Sequence, residues 1–201
     1  MRTLAALALC ASITAPATAD VRTPPAHAPD VQAHAAPGAM LDPLSPGDDV
    51  RVLVFVRRDC PIANRYAPEL ARLQASFPAT GAHPVTLVLV YVDPADTPAL
   101  VVAHEREYAL TLPWVLDPDH RLARLAAATV TPEAAVYSPG AGGNRELLYR
   151  GRIDDRFVDV GRTRPAPSHH DLRDAITAAV EGRRPAPAGG PATGCFIDDA
   201  R

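Results

Sequence analysis

The chain predicts an α/β domain over about residues 49–182, with segments on either side that carry no core pattern of their own. Three observations support this. Apolar strand-like runs alternate with stretches whose apolar residues recur at helical spacing. One run, residues 85–92, is continuous and rich in valine and leucine. A cysteine followed by proline, Cys60-Pro61, stands where the first strand-like run gives way to the first helical stretch.

Residues 52–56 are uninterruptedly apolar and read as the first strand. Beyond the cysteine, Ile62, Tyr66, Leu70, Leu73 and Phe77 fall on one helical stripe. Pro61 suits a first turn, where its missing N–H leaves no bond unmade. Pro68 lies inside the pattern and predicts a kink. Residues 85–92 read as a strand covered on both faces, ended by Asp93-Pro94. Thr97-Pro98 opens a helix through about Tyr108, with Thr97 as N-cap. Residues 112–116 are a short extended piece and 118–127 a short helix. Residues 133–138 and 146–153 are two strands joined by the turn-rich stretch 139–144. Ser168 and Asp171 have capping-box spacing, and Leu172, Ile176 and Val180 follow on one helical face.

The ends read differently. Met1-Arg2-Thr3, an apolar run from Leu4 to Ala15, and Ala17-Thr18-Ala19 before Asp20 describe a secretory signal peptide over residues 1–19. The run is too short to span a membrane, and no later stretch is long and apolar enough. Leu9 precedes Cys10 where a lipoprotein signal places a small residue, which argues against lipidation. The expected location is therefore the periplasm or the exterior. Residues 20–48, rich in Pro, Ala, His and Asp, read as a flexible linker. Residues 183–201 read as a flexible Pro/Gly-rich arm that carries Cys195.

A net charge of −3 gives no case for nucleic acid or an anionic membrane as partner. The basic residues are all arginine. His27, His34, His83, His104, His120, His169 and His170 show no metal-site spacing, and neither cofactor nor metal is called for. Trp114, Tyr91 and Tyr137 read as core aromatics.

Cleavage of the signal leaves two cysteines, Cys60 and Cys195. A thiol at a helix N-terminus is biased towards the thiolate, the form that attacks disulfides and peroxides; the alternative is a buried cysteine acting as a small hydrophobe. Arg57 and Arg58 flank Cys60, and one of them facing the thiol would favour its ionised form. Arg150, Arg152 and Arg156 with Asp154 and Asp155 read as a solvated salt-bridged loop.

Strand, Cys-Pro and helix in this order, with Val130-Thr131-Pro132-Glu133 just before the strand pair, resemble the thioredoxin-like superfamily. The likeness is to its redoxin group, which includes AhpC/TSA-like and exported thiol–disulfide proteins. It covers about residues 49–182 and implies a three-layer sandwich with a central mixed β-sheet flanked by helices. It also implies a cis Thr131–Pro132 bond opposite Cys60, with the Thr131 backbone offered to an extended substrate segment; an ordinary strand-start proline is the other reading of Pro132. Cys60-Pro-Ile-Ala-Asn-Arg-Tyr-Ala-Pro-Glu, Tyr149-Arg-Gly-Arg-Ile-Asp-Asp155 and Gly194-Cys195 are similar to an exported bacterial redoxin subgroup. The departures are equally informative. Thioredoxins carry a second cysteine where this chain has Ala63, and Sco-type copper chaperones carry one where it has Asn64. Peroxiredoxins carry threonine where it has Arg57.

The resemblance implies an oxidoreductase with Cys60 as nucleophile, Pro61, Thr131 and Pro132 shaping its site, and protein disulfides or hydroperoxides as substrates. A lone motif cysteine needs a second thiol to clear its adduct, and Cys195 is the candidate, with Phe196 and Ile197 as an apolar hook to dock it. A reducing partner in the exported compartment is then required. The missing peroxiredoxin threonine favours disulfide exchange over peroxide reduction. Two other readings stay open: a permanent Cys60–Cys195 disulfide, worth about 4–5 kcal/mol by chain entropy, and a copper-binding module using both sulfurs and a histidine.

Overall fold

A computed structural model describes residues 42–140 and 144–198. The expected signal peptide and residues 20–41 of the expected linker lie outside the described residues. The described end of that linker, 42–48, is tied to the domain instead of free. Arg51 donates to the Pro43 carbonyl at 2.6 Å, Arg145 donates to the Ser45 carbonyl at 2.9 Å, and Gly47 bridges to Gly140. Asp49 accepts from both arginines, and although burial opposes ionisation, these donors hold its carboxyl down at about 2.

The centre is β1 (Val50–Val56), buried along its whole length. It runs parallel to β2 (Val85–Tyr91) in the register Val52↔Leu87, and antiparallel to β5 (Glu133–Tyr137) in the register Val52↔Val136. β3 (Trp114–Leu116) extends the sheet beyond β2, and β6 (Leu147–Gly151) extends it beyond β5. The order is β3-β2-β1-β5-β6, and the sheet is mixed, as the resemblance implies.

Alternation along β1 divides the core in two. Val50, Val52, Val54 and Val56 face one layer, filled by Leu70 and Leu73, Val101, Trp114, Leu172 and Ile176. Leu53 and Phe55 face the other with Leu122, Ala123 and Ala126. The first layer is covered by α2 (Ala67–Ser76), α3 (Pro98–Tyr108) and α5 (Asp171–Val180), the second by α4 (Arg121–Ala126). Both faces of β1 and β2 being covered explains why their sequences run apolar without alternation.

The helix after Cys60 breaks rather than kinks. α1 (Pro61–Arg65) stops at Tyr66, and α2 resumes with Pro68 in its first turn. Proline lacks the N–H that would continue the ladder, so the break falls just before it. Thr97 caps α3 by accepting from the Leu100 N–H at 3.4 Å. The expected capping box at Ser168 is absent. Asp155 Oδ1 takes the Ser168 and His169 N–H groups at 2.6 and 3.0 Å, and α5 starts at His170 without a side-chain cap. Four short strands escape a sequence reading: β4 (Val130–Thr131), β7 (Phe157–Asp159) and β8 (Arg162–Thr163), which form a hairpin, and β9 (Cys195–Phe196).

Candidate active site

β1 and the turn after it deliver Cys60 to the start of α1, where it is the N-cap residue and fully buried. Pro61 follows as the first helical residue, and the Asn64 N–H returns to the Cys60 carbonyl at 3.1 Å. Opposite stands the end of β4. The Thr131–Pro132 bond is cis, and the Thr131 carbonyl accepts from the Cys60 thiol at 3.1 Å.

The arm completes the site. Residues 183–198, expected to be flexible, lie docked in the structure. The Gly189 N–H donates to Asp171 Oδ1 at 2.8 Å and Thr193 donates to the Phe157 carbonyl at 3.3 Å. β9 then pairs antiparallel with β4 in the register Thr131↔Cys195 and Val130↔Phe196, and the Ile197 N–H closes the pairing on the Thr129 carbonyl at 3.0 Å. This brings Cys195 Sγ to 2.7 Å from Cys60 Sγ, both cysteines being free thiols. Only half of the expected hook docks: Ile197 is buried, whereas Phe196 is 72% exposed.

The two thiols differ in acidity. Burial raises the pKa of Cys60, but hydrogen bonds from the Cys195 thiol and from the Ala63 backbone N–H outweigh it, and the net shift is down. Cys195 goes the other way: burial and the neighbouring Cys60 sulfur push it up to about 12. Of the two thiols, Cys60 is thus the more readily ionised and Cys195 the one that keeps its proton.

Neither arginine is among the main causes of that lowering. Arg57 is directed to Asp59 at 3.2 Å, Asp93 at 3.5 Å and Asp198 at 3.7 Å; Arg58 pairs with Asp96. Neighbouring carboxylates thus claim both guanidiniums that the sequence offers to the thiol. The solvated loop expected at 150–156 is also different. Asp154 and Asp155 are buried, and Asp154 accepts from the Tyr66 hydroxyl at 2.5 Å, which fixes the α1–α2 break behind Cys60. Burial first, and then this carboxylate, raise the Tyr66 pKa.

One supporting group goes unread in the sequence. The Tyr91 hydroxyl meets His104 Nδ1 at 2.9 Å, His104 Nε2 meets Asn64 Oδ1 at 2.9 Å, and Asn64 Nδ2 donates to the Arg58 carbonyl at 2.8 Å. Burial lowers the His104 pKa, which keeps the ring neutral and able to accept from Tyr91 while donating to Asn64. The chain pins the turn that presents Cys60. Asn64, read as a lost cysteine, is thus a strut. Among the described residues, no group of three or more His, Cys, Asp or Glu is placed to hold a metal ion.

A mixed sheet ordered β3-β2-β1-β5-β6, a cysteine at the β1–α1 junction and a cis-proline facing it define a thioredoxin-like fold. Comparison with solved structures agrees. The chain is similar to a hypothetical protein of Sinorhizobium meliloti 1021, at 23% identity over 75% of this chain and 79% of that one, with a TM-score of 0.59. An uncharacterized conserved protein of Geobacillus kaustophilus shares 23% identity over 75% and 77% of the two chains, with a TM-score of 0.58. A structure described as a thioredoxin-like superfamily protein shares 17% identity over 69% and 84%, with a TM-score of 0.50. These likenesses are of fold. No family model matches the sequence, and no curated protein matches it.

Proposed function

We propose that the protein is an exported thiol–disulfide oxidoreductase in which Cys60 attacks and Cys195 resolves. The observation that carries this reading is the 2.7 Å approach of the two sulfurs, delivered by an arm that pairs with the strand ending at the cis-proline.

In the reductive direction, the Cys60 thiolate attacks one sulfur of a substrate disulfide. A Cys60–substrate disulfide forms and the other substrate sulfur leaves as a thiolate. With the Cys60 charge consumed, the neighbouring sulfur no longer helps to hold the Cys195 proton. Cys195 then loses that proton to the departing thiolate or to water and attacks Cys60 Sγ. The substrate leaves with both sulfurs reduced, and the pair holds two fewer electrons as a Cys60–Cys195 disulfide. An external dithiol restores it. A polypeptide substrate suits a site whose observed occupant is an extended polypeptide segment, which places disulfide exchange ahead of peroxide reduction.

The test is the thiol state by mass spectrometry after alkylation, across graded dithiol reductant and then oxidant. The expected result is a Cys60–Cys195 link that opens under mild reduction and re-forms on oxidation. Free alkylation of Cys60 after oxidation, with no link, sinks the proposal. A link that resists all but harsh reduction assigns both cysteines to structure.

A further inference from the structure

β4 is only two residues long, and among the described strands it pairs with nothing but β9. The edge that β9 takes beside Cys60 is one where an extended chain can add as a strand, with main-chain hydrogen bonds giving affinity and side-chain sites giving selectivity. The arm shows what those side-chain sites accept. Before the cysteine stands Gly194, and a Cβ built on it would lie 2.0 Å from the Thr131 carbonyl oxygen and 2.6 Å from its carbon. Both are backbone atoms held beside the cis-proline, so they cannot step aside, and the position admits glycine alone. After the cysteine comes Phe196, whose ring points to solvent and meets no restriction. Next is Ile197, only 6% exposed, which joins the core cluster containing Leu53, Phe55 and Ala128. An aliphatic residue is required there, because a polar one would be buried without a partner.

We infer that the groove along β4 is a sequence-reading polypeptide site whose preferred ligand is an extended Gly-Cys-X-aliphatic segment of a partner protein, for which the chain's own arm is the resident competitor. The inference rests on the proposed reactivity of Cys60. It adds a rule for which cysteines in other proteins can reach that thiol: those preceded by glycine and followed, two residues on, by a branched aliphatic side chain. A cysteine on a helix, or one flanked by larger residues on its N-terminal side, is excluded by backbone contact before chemistry begins.

The test uses the full chain carrying Cys195→Ser and four hexapeptides whose cysteine is joined to thionitrobenzoate as a disulfide. The first has the sequence of residues 193–198, Thr-Gly-Cys-Phe-Ile-Asp. The others replace its Gly, its Phe or its Ile by Ala. The Cys60 thiolate attacks the peptide sulfur, a Cys60–peptide disulfide forms, and thionitrobenzoate leaves with the electron pair, so its colour reads the rate without net oxidation. Replacing Gly or Ile is expected to slow the reaction by about tenfold or more, and replacing Phe by no more than about twofold. Adding Ile197→Ala to the protein loosens the competing arm and is expected to speed all four peptides by one common factor. Equal rates for the four peptides, or no reaction with any of them while dithiobis-nitrobenzoate itself reacts, overturn the inference and leave the proposed chemistry standing. No reaction with either kind of disulfide overturns both.

Discussion

Cys60 and Cys195 meet sulfur to sulfur, yet the two sides of that contact are held by different amounts of protein. Cys60 hangs from β1, paired on both edges and buried on both faces, and its turn is pinned by the Tyr91–His104–Asn64 chain and by Asp154 on Tyr66. Cys195 hangs from an arm whose grip near the site is a two-residue ladder, one further main-chain bond, the Ile197 side chain and an exposed Asp198–Arg57 ion pair. The contrast has a use. Cys60 is fully covered while the arm is docked, so in the proposed cycle a substrate disulfide reaches it only when the arm leaves. A nucleophile that stays put and a resolving thiol that swings is the division of labour such a cycle needs, and regions of few buried contacts are the ones that open locally.

The largest expected effect separates the two sides by stability. Leu53 is fully buried beneath the sheet, and Leu53→Ala is expected to cost about 3 kcal/mol or more in urea unfolding of the reduced protein. Ile197→Ala deletes nearly as much apolar surface but is expected to cost no more than about 1 kcal/mol, because the arm can leave while the domain stays folded. Its effect should appear instead as faster alkylation of Cys60. Equal losses of global stability from the two substitutions would show that the arm is an integral part of the core and does not open alone.

A smaller effect concerns the charge that the contact creates. Docking lowers the Cys60 pKa, chiefly through the Cys195 thiol against the opposing effect of burial. A site that binds fewer protons when docked is favoured by rising pH. Arm docking should therefore tighten as pH climbs through the docked Cys60 midpoint towards the ordinary thiol value of about 8.5, and weaken again above it, where an undocked Cys195 ionises but the docked one, pushed up to about 12, keeps its proton. Cys195→Ala removes the donor, and the Cys60 thiolate absorbance is expected to appear at higher pH than in the reduced parent. An unchanged midpoint would assign the lowering to the Ala63 N–H instead.

The same contrast governs what the sequence could tell. Elements held by dense apolar packing were legible: the continuous runs of β1 and β2, the stripe from Ile62 to Phe77, and the Thr97 cap are each a local pattern with one stable use. The cis Thr131–Pro132 bond came through resemblance, and Cys60 through its place between strand and helix. Features that depend on which distant group arrives first were not legible. Arg58 looks available beside Cys60 until Asp96, more than thirty residues away in sequence, claims it. Ser168 has capping-box spacing, but Asp155 reaches its N–H first. Composition marks the arm as flexible because nothing local in a Pro/Gly-rich segment indicates the β4 edge on which it pairs; Gly194 before Cys195 was the available signal, since a glycine beside a functional thiol points to a close backbone approach.

The smallest expected effect tests which forces hold the arm. Asp198 lies 3.7 Å from Arg57, the one ion pair that the described structure places between the arm's tip and the turn carrying Cys60. Asp198 is 84% exposed on its side chain, and Arg57 keeps Asp59 and Asp93 as partners when Asp198 is lost. Exposed pairs of this kind contribute little, and salt screens what remains. Asp198→Ala is therefore expected to change the rate of Cys60 alkylation by less than about twofold, and added salt should not free the arm. The larger response to Ile197→Ala then identifies apolar burial and main-chain pairing as the grip on Cys195. Were Asp198→Ala to release the arm as Ile197→Ala does, that grip would be electrostatic. The partner segments that displace it would then have to be acidic after the cysteine rather than aliphatic.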